Sequence, residues 1–198
     1  TSYLTWRQND VSSTKVSVVT GSAANDATFA SYNINVTQMA QSHMVGSDAQ
    51  ADTTSALNQS GDFSLNGSGV ISIELTDTLE DIRDKINAET YTDSGITATI
   101  INTTLVLERD DTGETEITVD SDDGILDALG IRDTGTWKNT LQDDQKLNAT
   151  INGVDIESSS NDNITTVLQG VTLSFKGEGT STLDVTRDIE TIKSAFDE

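Results

Sequence analysis

Residues 28–39, Thr-Phe-Ala-Ser-Tyr-Asn-Ile-Asn-Val-Thr-Gln-Met, alternate without a break. Ala30, Tyr32, Ile34 and Val36 share one side, and Phe29, Ser31, Asn33, Asn35 and Thr37 the other. A period of two with one apolar and one polar side predicts a strand on a sheet with one wet face. The same texture, short Val/Ile/Leu runs set among Thr, Ser, Asn and Asp, extends over the chain. It predicts strands at Lys15–Thr20 (stopping at Gly21), Asp62–Leu65, Val70–Leu75, Ile96–Ile101, Thr104–Glu108, Thr115–Val119, Lys146–Ile151, Val154–Ser158, Val171–Lys176 and Thr182–Thr186. Asn66-Gly67 and Asn152-Gly153 supply the positive-φ turns that a tight hairpin requires.

Helical spacing is rarer. Thr78–Glu89 places Leu79, Ile82 and Ile86 on one stripe, with Thr78 as cap, Glu80 and Asp81 at the positive end, and Asp81 four residues before Lys85. Gly124–Leu129 reads as a short helix ended by Gly130, and Ile164–Leu168 as a helical turn. Arg187–Glu198 aligns Ile189, Ile192 and Phe196 as the start of a longer helix. Of two polar stretches, Gly46–Gly61 reads as a mobile or boundary segment and Thr134–Lys146 as a second boundary. The fold class is therefore mainly β with small helices (α+β), in two discontinuous modules, one inserted into the other. The outer module joins 11–45 to 143–188; the inserted one is 46–142 and contains the helix 78–89.

Composition narrows the chemistry. The 198 residues carry 33 Asp plus Glu against 11 Lys plus Arg, a net charge of −22. Nucleic acid and anionic membranes gain affinity from Lys and Arg, so neither is an expected partner. Cysteine is absent and His43 is the one histidine, which excludes disulfides, thiol nucleophiles and multi-histidine metal sites. Proline is absent too, so turns fall to Gly, Asn, Asp and Ser. No basic segment followed by an apolar one opens these residues, so no cleaved leader is expected among them.

Candidate sites are few. His43 has no nucleophile at motif spacing and is expected at the surface or a module boundary. The acid pairs Asp110/Asp111, Asp122/Asp123 and Asp143/Asp144 sit in loops where neighbouring side chains diverge, which argues against a two-carboxylate glycosidase. Asp120-Ser121-Asp122-Asp123-Gly124 resembles the start of a calcium loop, but glycine comes one position early and Ile131 stands where a bidentate acid belongs. Gly177-Glu178-Gly179 lacks the lysine of a phosphate loop. No catalytic residue, metal ligand or cofactor is assigned.

The C-terminal third carries a more specific pattern: Ile151-Asn152-Gly153-Val154-Asp155-Ile156, then Ser159-Ser160-Asn161, then Val167-Leu168-Gln169-Gly170-Val171-Thr172-Leu173, then Leu183-Asp184-Val185-Thr186-Arg187-Asp188. This order closely resembles the flagellar hook-associated protein 2 family, the filament cap proteins. Tyr32–Gln41 looks like that family's long strand, and the stretch from Thr78-Leu79-Glu80-Asp81-Ile82 through Ile86-Asn87-Ala88 to Gly95–Ala98 is similar to the flagellin "IN" motif. The resemblance covers about Val11 to Glu198. Asn152, Gly153, Gly170, Arg187 and Asp188 then read as structural devices: a hairpin turn, the entry to the Val171 strand, and a strand-to-helix exit capped by Asp188.

The resemblance implies a secreted, non-enzymatic protein of the bacterial flagellum. It would sit outside the cell at the distal filament tip as a homo-oligomeric ring, holding flagellin while it folds and inserts and preventing monomer loss. Partners would be flagellin, the filament tip or hook–filament junction, and an export chaperone acting through regions not in this sequence. Residues 1–10 would be the end of a leg region or a tag, and 189–198 the start of a coiled-coil leg helix. The outer module would make ring contacts while the inserted one projects outward. The alternative class is an adhesive module that grips host or prey surface glycans.

Overall fold

The computed structural model describes residues 9–89 and 94–189. The chain divides into two compact units: one holds the described residues up to Ala40 and from Lys146 onward, the other is Gln41–Gln145. Residues 41–45 and 143–145, read from sequence with the outer module, thus fall within the inserted unit. Backbone pairing accounts for this. Residues 44–46 form a ladder with 106–108, and Gln41 and Gln145 bridge each other.

The outer unit contains β1 (Asn9–Ser13), β2 (Val19–Ala23), β3 (Ala30–Gln38), β13 (Leu147–Ile151), β14 (Val154–Ser158), β15 (Ile164–Leu168), β16 (Val171–Phe175) and β17 (Gly179–Arg187). They form a five-stranded antiparallel sheet, β1-β17-β3-β13-β14, and a three-stranded sheet, β15-β16-β2. Strand β3 keeps the alternation read from its sequence: Ile34 and Val36 are buried, Ser31, Asn33 and Thr37 exposed. Side chains of both sheets share one core, with Val19, Leu147, Leu173 and Leu183 fully buried and Phe175 and Ile34 nearly so.

The inserted unit contains β4 (Met44–Gly46), β5 (Gly61–Leu65), β6 (Ile71–Ile73), α1 (Leu79–Glu89), β7 (Ile96–Ile101), β8 (Thr104–Arg109), β9 (Val119–Asp122), α2 (Ile125–Ala128), β10 (Arg132–Asp133), β11 (Thr136–Trp137) and β12 (Thr140–Gln142). Its sheets are β12-β4-β8-β7, β6-β5-β9 and the small pair β10-β11. Leu79, Ile82 and Ile86, the predicted stripe of α1, lie in its core with Phe63, Leu105 and Leu107. The helix opens on a reciprocal cap: Thr78 Oγ1 accepts the Asp81 N–H at 3.1 Å, and Asp81 Oδ2 accepts the Thr78 N–H at 2.9 Å.

Several expectations are corrected. Ile164–Leu168 is a strand, because a five-residue apolar run cannot reveal its period and here its partner β16 decides. Residues 16–18 form a turn, and the strand runs from Val19 through Gly21, where a Cβ would meet Thr172 O at 3.0 Å. The strand expected at Thr115–Val119 begins only at Val119. Lys85 reaches Asp77 (2.5 Å) and Ser72 O (3.0 Å) rather than Asp81. The segment 47–60 has no regular element, yet Ser47, Asp48, Gln50 and Leu57 donate backbone bonds to Leu105, Leu129, Thr103 and Asp77. Residues 134–146, read as a boundary, hold β11 and β12, and the division between the units falls at their end, between Gln145 and Lys146. Beyond Ile189 the expected leg helix lies outside the described residues, as does the segment 1–8. No helix among the described residues is long and apolar enough to cross a membrane.

Candidate functional site

The acidic loops turn their carboxylates onto backbone. Asp120 Oδ2 accepts the Gly67 N–H (2.6 Å), Asp122 Oδ1 those of Gly124 (3.0 Å) and Leu126 (3.2 Å), and Asp123 Oδ2 that of Asp62 (3.2 Å). The group that resembled a calcium loop therefore closes turns and caps α2. Among the described residues, no three metal-ligating side chains converge. Asp110 accepts the Thr97 hydroxyl at 2.7 Å while Asp111 lies against Arg109 at 3.9 Å, so that pair diverges as well.

His43, expected at the surface or a module boundary, lies close to the start of the inserted unit at Gln41, and it is buried rather than superficial. Its Nδ1 accepts the Ile117 N–H at 3.1 Å, which places the ring proton on Nε2, and its ring meets the edge of Trp137 with centroids 5.7 Å apart. The environment satisfies the imidazole as a structural acceptor. The Arg132 guanidinium lies 5.5 Å from the Trp137 ring. A hollow of about 410 Å³ opens beside them, lined also by Glu116, Thr118 and Thr136.

Four asparagines do what the sequence did not disclose: the carboxamides of Asn87 and Asn161 make both bonds of a strand residue, and Asn152 and Asn66 pair an Oδ1 acceptor with their own backbone N–H. Asn87 Oδ1 accepts the Ala98 N–H (2.8 Å) while its Nδ2 donates to Ala98 O (2.9 Å). Asn161 grips Ala40 in the same way, at 2.8 and 2.9 Å. Asn152 accepts the Asn33 N–H through Oδ1 (2.8 Å) and donates its backbone N–H to Asn33 O (2.8 Å). Asn66 repeats this on Thr118, at 2.7 and 3.0 Å, and adds an Nδ2 bond to Ser94 O (2.9 Å). At Asn87 and Asn161 the carboxamide supplies an acceptor and a donor as a peptide group does, and so completes the bonding of a backbone residue from a side chain. The Asn-Gly pairs signalled turns, but no local pattern signalled the bonds across to another strand.

The other motif residues are placed as follows. Asn152 and Gly153 have φ of 50° and 82° at the β13–β14 turn. Gly170, with φ of 73°, stands at the β15–β16 turn so close to another turn that a Cβ would lie 2.8 Å from Ala27 N. Arg187 ends β17 with its guanidinium 5.7 Å from the Phe29 ring. Asp188 follows directly, but the helix it was expected to cap lies outside the described residues.

The outer unit also presents a polar sheet face. A hollow of about 710 Å³ is lined by Asn33, Asn35, Thr150, Thr180 and Thr182, with Lys15 the one charge on its rim. Its amides and hydroxyls offer hydrogen bonds and shape, the means of binding a polar partner.

Residues 145–198 match the family described as flagellar hook-associated protein 2 C-terminus. No curated protein matches the chain. The crystal structure of the FliD flagellar cap protein D1-D2-D3 domains from Escherichia coli is similar over 98% of this chain, with TM-score 0.78 and 26% identity. This chain spans 58% of that one. The D2-D3 domains from the same organism, covered completely, match over 91% of this chain at TM-score 0.74 and 25% identity. FliD (HAP2) from Pseudomonas aeruginosa PAO1 shares the fold at TM-score 0.71 and 24% identity, over 91% of this chain and 92% of that one. The likeness to flagellar cap proteins read from motifs is thus present in the fold, and the mainly β class with it. The matched family is a structural one, not a family of enzymes.

Proposed function

We propose that this chain is the head of a flagellar filament cap subunit, working outside the cell at the distal tip as a homo-oligomeric ring. There it holds flagellin while the monomer folds and inserts, and it keeps unassembled monomer from escaping. The observation that carries the reading is the likeness to cap-protein D2-D3 domains along nearly the whole chain, joined to the family match at its C-terminal end. The site geometry fits: it offers a polar sheet face and backbone-locking asparagines.

A closed ring of identical subunits needs two different patches per subunit meeting head to tail. We assign ring contacts to the outer unit, residues 11–40 with 146–188, and leg contacts to residues 189–198. Net charge −22 opposes the approach of like heads, and salt screens that repulsion over a Debye length of about 8–10 Å. The isolated head should therefore associate weakly, and more so at high salt. Tight oligomers at low salt in light scattering would contradict this. The functional test is deletion of the gene: filaments should be absent or short and flagellin should leak into the medium. Normal filaments without leakage would overturn the proposal.

The hollow beside Trp137 and Arg132 favours a second reading, adhesion to surface glycans, because an indole flanked by polar groups suits a sugar face. A glycan array should then lose signal with Trp137→Ala in the intact chain; no binding by the parent would dispose of it.

A further inference from the structure

We propose that Asn66-Gly67 and Asn152-Gly153 are spontaneous deamidation sites that the fold holds shut, with Asn152 the more readily modified. In this reaction the deprotonated glycine nitrogen attacks Cγ of the preceding carboxamide. The N–Cγ bond forms, the Cγ–Nδ2 bond breaks, and Nδ2 leaves as ammonia with the displaced proton. Water then opens the cyclic imide at either carbonyl, giving aspartate or isoaspartate, with no change of oxidation state. Glycine admits this approach because it has no Cβ.

In the folded chain both carboxamides are engaged elsewhere. Asn152 Oδ1 is held by the Asn33 N–H at 2.8 Å, and Asn66 is held by the Thr118 N–H and by Ser94 O at 2.7 and 2.9 Å. Ring closure requires each side chain to leave its neighbouring strand, so its rate follows local opening. The attacking nitrogens differ. The Gly67 N–H donates to the Asp120 carboxylate at 2.6 Å, which holds the proton the reaction must remove. Gly153 has no such acceptor among the described residues, and both residues of its turn are exposed. Asn152 should therefore react first.

The products differ as well. Aspartate at position 152 keeps the acceptor for the Asn33 N–H, whereas isoaspartate lengthens the backbone and breaks the two-residue turn. At position 66 either product loses the donor to Ser94 O and sets a carboxylate beside that carbonyl. Modification at Asn66 is thus the damaging event.

The test incubates the intact chain in mildly alkaline buffer with and without urea, and follows both peptides by mass spectrometry that separates isoaspartate. In urea the two sites should convert at similar rates. Without urea both should slow by at least about tenfold, with Asn152 ahead of Asn66. Equal rates with and without urea at either site, or Asn66 ahead, would overturn the proposal. Asp120→Ala should speed Asn66 in the folded chain and leave its rate in urea unchanged; no change in the folded chain would remove Asp120 from the account.

Discussion

Asn87 offers the sharpest test of the carboxamide clasps. Strand β7 is the edge of its sheet, pairing with β8 on one side only, and Ala98 at its middle is almost fully buried. The Asn87 side chain supplies both partners that a further strand would have given. Asn87→Ala removes both at once and leaves a buried donor and a buried acceptor. Each such orphan costs about 1–3 kcal/mol. Asn87 is half-buried, so water can reach part of the gap, and truncation also relieves about 1 kcal/mol of side-chain ordering. The expected loss is about 2–3 kcal/mol, read as a lower urea midpoint at unchanged slope. Asn87→Asp should be worse at neutral pH, because a carboxylate oxygen would then face Ala98 O. That carboxyl would titrate above its unfolded value, so the extra deficit is full at neutral pH and fades as acid protonates it and restores a donor. Hydrogen exchange localises the effect: the Ala98 amide should lose protection in both variants. If Asn87→Ala unfolds within about 0.5 kcal/mol of the parent, or Ala98 exchange is unaltered, the clasp is not an energetic feature of the fold.

Further outcomes follow from the same geometry. Asn161→Ala, which frees the Ala40 N–H and carbonyl, should cost about 2 kcal/mol by urea unfolding. Gly170→Ala should cost about 3 kcal/mol, since positive φ adds to a contact with Ala27 backbone, whereas Gly153→Ala, with open space around its Cβ, should cost about 1 kcal/mol. His43→Phe keeps a ring against Trp137 but strips the acceptor from the Ile117 N–H, and should cost about 1–3 kcal/mol with faster exchange at Ile117. Bonds from Ser55, then Thr54, hold the Asp52 carboxyl below its ordinary value of 3.8, as Lys176 and Ser174 do for Asp162. A depressed pKa stabilises above the unfolded value and is lost as pH falls through the folded one. The difference in urea midpoint between the parent and Asp52→Asn should therefore be present above pH 3.8 and close in stronger acid; a difference independent of pH would refute it.

The strands with clean alternation were legible in the residues because each side chain's destination follows from its parity. Ile34 and Val36 face the core and Asn33 and Thr37 do not, whatever else the chain does. The stripe and cap of α1 and the turns at Asn66-Gly67 and Asn152-Gly153 were likewise written locally, as spacing or as a positive-φ requirement. The motif pattern at Ile151–Asp188 carries the likeness to the cap proteins in the residues themselves. Tertiary structure decided the rest. Ile164–Leu168 became a strand only through β16, and His43 became a core acceptor only because the Ile117 amide lay within its reach. The four clasps join residues 11 to 121 positions apart in the chain, and the bonds exist only once folding brings those backbone groups to an asparagine's side. Local sequence sets which conformations each segment can adopt; which distant polar groups then need a partner is fixed by how the segments pack.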